Sequence, residues 1–190
     1  MNPYFKGVKL FIRKVVRDAI RCMTQYSFSS DDMLRVGLIC YRDHPPQGKS
    51  GDIFTAPFTH IIPDFKKVLQ SITAKGGGDD AEAVIDGLDA VINNLTWRDN
   101  SEKFVFHLLD APPHGSEYGS EKDGFPDGCP CGKDIESILL KFRELNIDYT
   151  IIKLDKSIDK MIEIFSQYIE IDVFNHEFKK LTDKPIDQNN

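Results

Sequence analysis

Short, continuous apolar runs alternating with longer stretches of helical periodicity most restrict how this chain can fold. Leu34–Tyr41 (LRVGLICY), Lys103–Leu109 (KFVFHLL) and Tyr149–Leu154 (YTIIKL) carry apolar residues at consecutive positions rather than at every second one. That pattern suits strands covered on both faces, as in a parallel sheet. Between them lie amphipathic stretches. From Val8 to Met23, Val8, Phe11, Ile12, Val15, Val16, Ala19 and Ile20 recur at three- and four-residue steps, with Lys9, Arg13, Lys14, Arg17, Asp18 and Arg21 opposite. Pro63 opens PDFKKVLQSITA, and the glycines 76–78 deliver the chain to a stretch that reads as one helix from Asp79 and Asp80 to about Leu95. Helical spacing returns over Lys133–Asn146 and Ser157–Tyr168. Ile53–Ile62 reads as an edge strand, because Pro57 removes a ladder donor. The pattern predicts an α/β fold of three layers, with a mostly parallel, doubly wound, Rossmann-like sheet.

Length and charge narrow the function classes. At 190 residues with 41% apolar content, one core is the expectation. The 24 basic residues against 30 acidic ones give a net charge of −6, with no basic run to follow a phosphate backbone, so nucleic acid is not an expected partner. No segment has the ~18 uninterrupted apolar residues of a membrane span, and the N-terminus has no small-residue cleavage site, which predicts an intracellular, cytoplasmic chain. Cys22, Cys40, Cys129 and Cys131 are too sparse for a disulfide framework and read as reduced thiols, Cys22 and Cys40 as small buried residues. Cys129-Pro-Cys131 with His114 offers three zinc ligands where a structural site needs four. The polar tail beyond 174 reads as a separate frayed segment, leaving residues 1–174 as the domain.

Ligands in open α/β sheets sit beyond the carboxyl ends of the strands. Those ends carry Arg42, Asp43 and His44 after one strand, Asp110 and His114 after another, and Asp155 after a third. A second acidic group, Asp79, Asp80 and Glu82, sits where the glycines end. Carboxylates from two loops suit a hard cation such as Mg²⁺, although acidic residues in a first helical turn are also stabilised by the helix dipole alone. The loop APPHGSEYGSEKDGFPDGCPCG is long for a compact domain, and such loops are usually functional. His107, inside a strand, reads as a core histidine, and Trp97 as a packing residue. Nothing matches a nucleophile elbow, a P-loop or a dinucleotide fingerprint, so no catalytic residue is assigned.

GGGDDAEAVIDGL, then FVFHLLDAPPHG, with YRDHPPQ after the first apolar strand, resemble the metal loops of von Willebrand factor A domains. They are closest to the A domains found beside atypical alpha-kinase catalytic domains. The resemblance covers about Met1 to Tyr168 and implies a non-enzymatic protein-interaction module, regulatory or scaffolding, with a metal-ion-dependent adhesion site. It implies Asp79 as the second-loop ligand, with Asp80 as its rival, and Asp110 as the third-loop ligand. Arg42, Asp43, His44, Glu82 and His114 would share the partner-binding face. The family's first strand and its Asp-x-Ser/Thr-x-Ser loop have no counterpart here, so Mg²⁺ or Mn²⁺ binding is expected to be weak or absent in this chain alone. The absent strand belongs in the middle of the family's sheet, between Leu34–Tyr41 and Lys103–Leu109. Its place is expected to be taken by another chain, by further N-terminal sequence, by the β-like run Tyr168–Phe174, or by collapse of the two flanking strands. Two other readings stand beside this one: a Mg²⁺-dependent hydrolase using Asp110, and a degenerate structural domain.

Overall fold

The computed structural model describes residues 5–25, 34–46, 53–74 and 77–175. The polar tail from His176 onward lies outside them. Their architecture is mixed α/β, with five α-helices and five strands. In chain order these are α1 (Phe5–Gln25), β1 (Val36–Cys40), β2 (Phe54–Thr59), α2 (Ile62–Ser71), α3 (Val84–Asn93), β3 (Lys103–Leu109), α4 (Ile135–Glu144), β4 (Ile147–Lys153), α5 (Asp159–Phe165) and β5 (Asp172–Asn175). No helix among the described residues is long and apolar enough to cross a membrane.

The strands form two sheets. β3, β4 and β5 pair in parallel, in the order β3-β4-β5, whereas β1 and β2 pair antiparallel and stand apart. The sequence pattern predicts one mostly parallel sheet, and parallel pairing holds for three strands of the five. Among the described residues no strand joins β1 to β3. The apolar run Tyr168–Phe174 does not fill that gap. Its end forms β5, which adds to the far side of β4, with Ile151 opposite Val173 and Ile152 opposite Phe174. Pro57 falls where the β1–β2 register shifts, between the Val36–Thr59 and Leu38–Ala56 pairs, as expected of a residue that cannot donate to the ladder.

Helices lie on both sides of β1, because its side chains alternate. Val36 and Leu38 pack with Val16 of α1 and with Phe65 and Leu69 of α2. Ile39 and Tyr41 point the other way, into the main core, where Val84 and Leu88 of α3 meet Leu139 and Phe142 of α4, Ile151 of β4, and Met161 and Phe165 of α5. On β3, Lys103, His107 and Leu109 face inward while Phe104 and Phe106 stay exposed. Phe106, Ile152 and Phe174 line an apolar groove together with Phe11 of α1.

The largest departure from the sequence reading concerns residues 79–83. They are not the first turn of a helix, since α3 begins at Val84 and its first-turn acid is Asp86. The main-chain N–H groups of Asp80, Glu82 and Ala83 donate instead to the carbonyls of Lys122, Pro112 and Arg42. The loops after β1 and β3 therefore hold this segment extended, and Glu82 makes a parallel bridge to Pro113. The carboxylates of Asp79 and Glu82 are freed from helix capping and enter the space between the loops, while Asp80 stays exposed.

Candidate functional site

The site lies where the segments after β1 and β3 meet the approach to α3. His114, after β3, is buried, with Nε2 2.9 Å from Asp43 Oδ1 and Nδ1 2.6 Å from Asp123 Oδ1. A neutral imidazole donates at one nitrogen and accepts at the other, and only the imidazolium donates at both. Two carboxylates on one ring therefore require two protons on the ring or one on a carboxylate. The two acids differ in their surroundings. Burial raises Asp43 above the usual carboxylate range despite hydrogen bonds from His114 and the His44 N–H. Asp123 is buried too, but N–H groups of Gly115 and Phe125 and the His114 ring together hold it below that range. Gly115 has φ +128°, which favours glycine.

Asp79 joins this group. Its Oδ2 accepts from the Gly124 N–H at 2.6 Å, and ligand atoms of Asp79, His114 and Asp123 lie within 4.8 Å of one another, close enough to hold one metal ion. Three carboxylate oxygens here are buried without a hydrogen-bond partner: Asp43 Oδ2, Asp79 Oδ1 and Glu82 Oε2. A buried acceptor left unmatched costs about 1–3 kcal/mol, and more when charged. Burial, then the charges of Asp43, Asp110 and Asp79, push Glu82 up to about 7. An excess of buried negative charge facing unmatched oxygens is the arrangement a cation or a donor would relieve.

Of the residues expected at the site, the structure gathers Asp43, Asp79, Glu82 and His114. Asp110 is exposed and acts on Glu82 through its charge, while its carbonyl accepts from Ser157 Oγ. Asp80 is exposed, and Arg42 reaches the carbonyl of Thr73 at 3.3 Å. Asp123 is the addition that sequence reasoning missed; an Asp before a Gly in a long loop looks like a turn residue.

His44 belongs to a second, adjoining group. Its Nε2 is 3.0 Å from Asp86 Oδ2 and 3.4 Å from Cys129 Sγ. Cys129 and Cys131 Sγ lie 3.2 and 3.0 Å from that same oxygen, and the four ligand atoms are all within 4.8 Å of one another. The cysteines thus meet His44 and Asp86, not the His114 expected beside them, because both nitrogens of His114 are taken by Asp43 and Asp123. Burial and the hydrogen bond to Asp86 push the thiol of Cys131 up, and burial pushes that of Cys129 up. Asp86 is buried as well, yet hydrogen bonds from Cys131, Lys133 and Cys129 hold it low. All four cysteines are free thiols; Cys40 is half-buried, but Cys22 is exposed on α1, against the expectation that it is buried.

His107 is the core histidine the sequence suggests. Nε2 meets the Tyr41 hydroxyl at 2.6 Å and Nδ1 the Tyr149 hydroxyl at 2.7 Å. Burial lowers the ring to about 4, so it is neutral at physiological pH. Trp97 also packs as expected, edge-on to Phe58 with its Nε1–H donating to the Val91 carbonyl at 2.9 Å.

No protein-family model matches the chain. Over 168 residues, 88% of its length, it is 33% identical to the alpha-protein kinase vwkA of Dictyostelium discoideum, of which the matched stretch spans 25%. The chain is thus similar to about a quarter of an alpha-protein kinase.

Proposed function

We propose that this chain is a non-enzymatic protein-interaction module of von Willebrand factor A type, working as a regulatory or scaffolding part of an alpha-kinase-like protein. The observation that carries the reading is the trio of buried, unmatched carboxylate oxygens on Asp43, Asp79 and Glu82, at the loops where that family holds its metal. The likeness to an alpha-protein kinase supports the kinase association. Asp79, with the unmatched oxygens of Asp43 and Glu82, would hold Mg²⁺ or Mn²⁺, and the exposed Asp110 would add negative charge at the rim. The cation would polarise an incoming carboxylate from the partner, and Arg42 and His44 border the same face, with His114 buried behind it. The sequence carries no Asp-x-Ser/Thr-x-Ser motif, so affinity in the isolated chain is weak, on the order of millimolar. Among the described residues β3 ends its sheet, and an extended segment from another chain or another part of a longer protein would complete it there.

Calorimetric titration of Mg²⁺ into the chain tests the cation, with and without the kinase catalytic domain of the relative. Weak binding alone, strengthened by the catalytic domain and removed by Asp79→Asn, is expected. Absence of any heat in both titrations, with the fold intact by circular dichroism, would sink the reading. Amide exchange over Phe104–Leu109 should slow in the complex if the edge of β3 is used.

A further inference from the structure

We propose that His44, Asp86, Cys129 and Cys131 form a four-ligand zinc site that pins the long loop after β3 to the first turn of α3. This site is separate from the acidic group around His114 and does not depend on the function proposed above.

The ligand chemistry favours a borderline-soft ion. Two sulfurs, one imidazole nitrogen and one carboxylate oxygen are the donor types that zinc takes, while thiolates are poor ligands for Mg²⁺ or Ca²⁺. A zinc tetrahedron with Zn–S near ~2.3 Å and Zn–N and Zn–O near ~2.0 Å has edges of roughly 3.3–3.8 Å. The corresponding separations are 3.0 Å for His44 Nε2 to Asp86 Oδ2, 3.4 Å for His44 Nε2 to Cys129 Sγ, and 3.2 and 3.0 Å for the two sulfurs to Asp86 Oδ2. Four of the six edges are thus within about half an ångström of that tetrahedron and all six are under 4.8 Å, so a small outward shift admits the ion.

The backbone is arranged to produce this convergence. Cys129-Pro130-Cys131-Gly132 is a turn closed by the Gly132 N–H donating to the Cys129 carbonyl at 3.0 Å, with proline second and Gly132 at φ +66°. The preceding turn, Phe125 to Gly128, closes in the same way at 3.0 Å. Two consecutive tight turns aim both sulfurs at the Asp86 carboxylate, Cys129 Sγ at 3.2 Å from Oδ2 and Cys131 Sγ at 3.0 Å from Oδ2 and 3.1 Å from Oδ1. Asp86 is held from behind, since its Oδ1 accepts from Lys133 Nζ at 2.8 Å, and Lys133 also pairs with Asp89 at 2.8 Å. That leaves Oδ2 for the metal, the usual outer-shell support of a ligating carboxylate. Charge closes as well. Two thiolates, a carboxylate and a neutral imidazole around Zn²⁺ leave one net negative charge, which Lys133 offsets. Without a metal, the two sulfurs contribute weak thiol hydrogen bonds, one of them from the exposed Cys131 in competition with water.

The test uses the full chain, purified under reducing conditions without chelator. Elemental mass spectrometry should find about one zinc per chain, and replacement by Co²⁺ should produce a thiolate-to-cobalt charge-transfer band. Cys129→Ser, Cys131→Ser and Asp86→Asn should each weaken zinc retention against a competing chelator by on the order of 100-fold or more. Cys22→Ser and Cys40→Ser should leave it unchanged. Cys131 is exposed, so its serine variant is the one to rely on should Cys129→Ser fail to fold, and the cobalt spectrum needs no variant. A folded cobalt-loaded chain without the charge-transfer band would overturn the proposal. So would zinc that survives Cys131→Ser but is lost in Asp79→Asn, which would place it in the acidic group.

Discussion

His114 Nε2 stands 2.9 Å from Asp43 Oδ1, and both side chains are fully withdrawn from solvent. The contact spans 71 residues and ties the loop after β3 to the loop after β1, the two strands that share no ladder. It therefore replaces, at the carboxyl ends of the strands, some of the connection that backbone pairing does not provide. Removing the ring leaves buried acceptors on Asp43 and Asp123 unmatched at about 1–3 kcal/mol each, a large part of the 5–15 kcal/mol typical of a domain. His114→Ala should lose that much stability in urea unfolding, because it strands Asp43 and Asp123 together. A loss below about 1 kcal/mol would mean the two loops are held by other contacts.

The neutral, doubly hydrogen-bonded His107 makes stability depend on acid. Its folded value is lowered from 6.5 to about 4 by burial, so between those pH values the unfolded chain binds a proton that the folded chain refuses. The contribution is complete above 6.5 and is lost as pH falls toward about 4, by roughly 3 kcal/mol in total. Nitrogen chemical shifts of the ring should stay those of a neutral imidazole at pH 5. Titration of His107 near pH 6.5 in the folded chain would refute its closed environment.

Much of this fold is legible in the sequence because its signals are local. KFVFHLL occupies the whole of β3, and the Val8–Met23 periodicity lies within α1. The acidic approach to α3 misleads for a physical reason: Asp79 and Asp80 look like first-turn residues, and only carbonyls from distant loops keep that backbone out of the helix. The zinc ligands divide in the same way. Cys-Pro-Cys is conspicuous, but His44 lies 85 residues from Cys129 and Asp86 lies 43 away, separations that no spacing rule connects. One signal for Asp86 was available, as it interrupts the apolar face of VIDGLDAVI between Ile85 and Leu88, where an acid needs a partner.

Gly87 lies in α3 directly against the Tyr41 ring, and a Cβ placed there would come within 2.3 Å of Tyr41 Cδ1. The ring cannot swing aside without giving up the hydroxyl contact with His107. Alanine is the better helix former by about 1 kcal/mol, yet overpacking costs about 1–3 kcal/mol. Gly87→Ala should therefore lower the thermal midpoint, and Gly87→Ala in a Tyr41→Ala background should recover part of the loss. If the single variant melts higher than the parent, helix propensity outweighs the close packing at this position.

Glu82 gives the acidic group a pH signature whose sign a cation would reverse. Its folded value is raised from 4.5 to about 7, first by burial and then by the charges of Asp43, Asp110 and Asp79. Between those values the folded chain keeps a proton that the unfolded chain has lost, so Glu82 favours folding below 4.5 and this advantage disappears as pH rises through about 7. Glu82→Gln keeps the shape and removes the ionisation. In the presence of chelator the variant should melt higher than the parent at pH 8 and at the same temperature below pH 4.5. Millimolar Mg²⁺ should then raise the midpoint of the parent more than that of the variant, because a bound cation stabilises the ionised carboxylate that the variant lacks. Calorimetric scans at the two pH values, with and without Mg²⁺, read both effects. A variant that melts lower than the parent at pH 8 in chelator would show that the Glu82 carboxylate is already satisfied there.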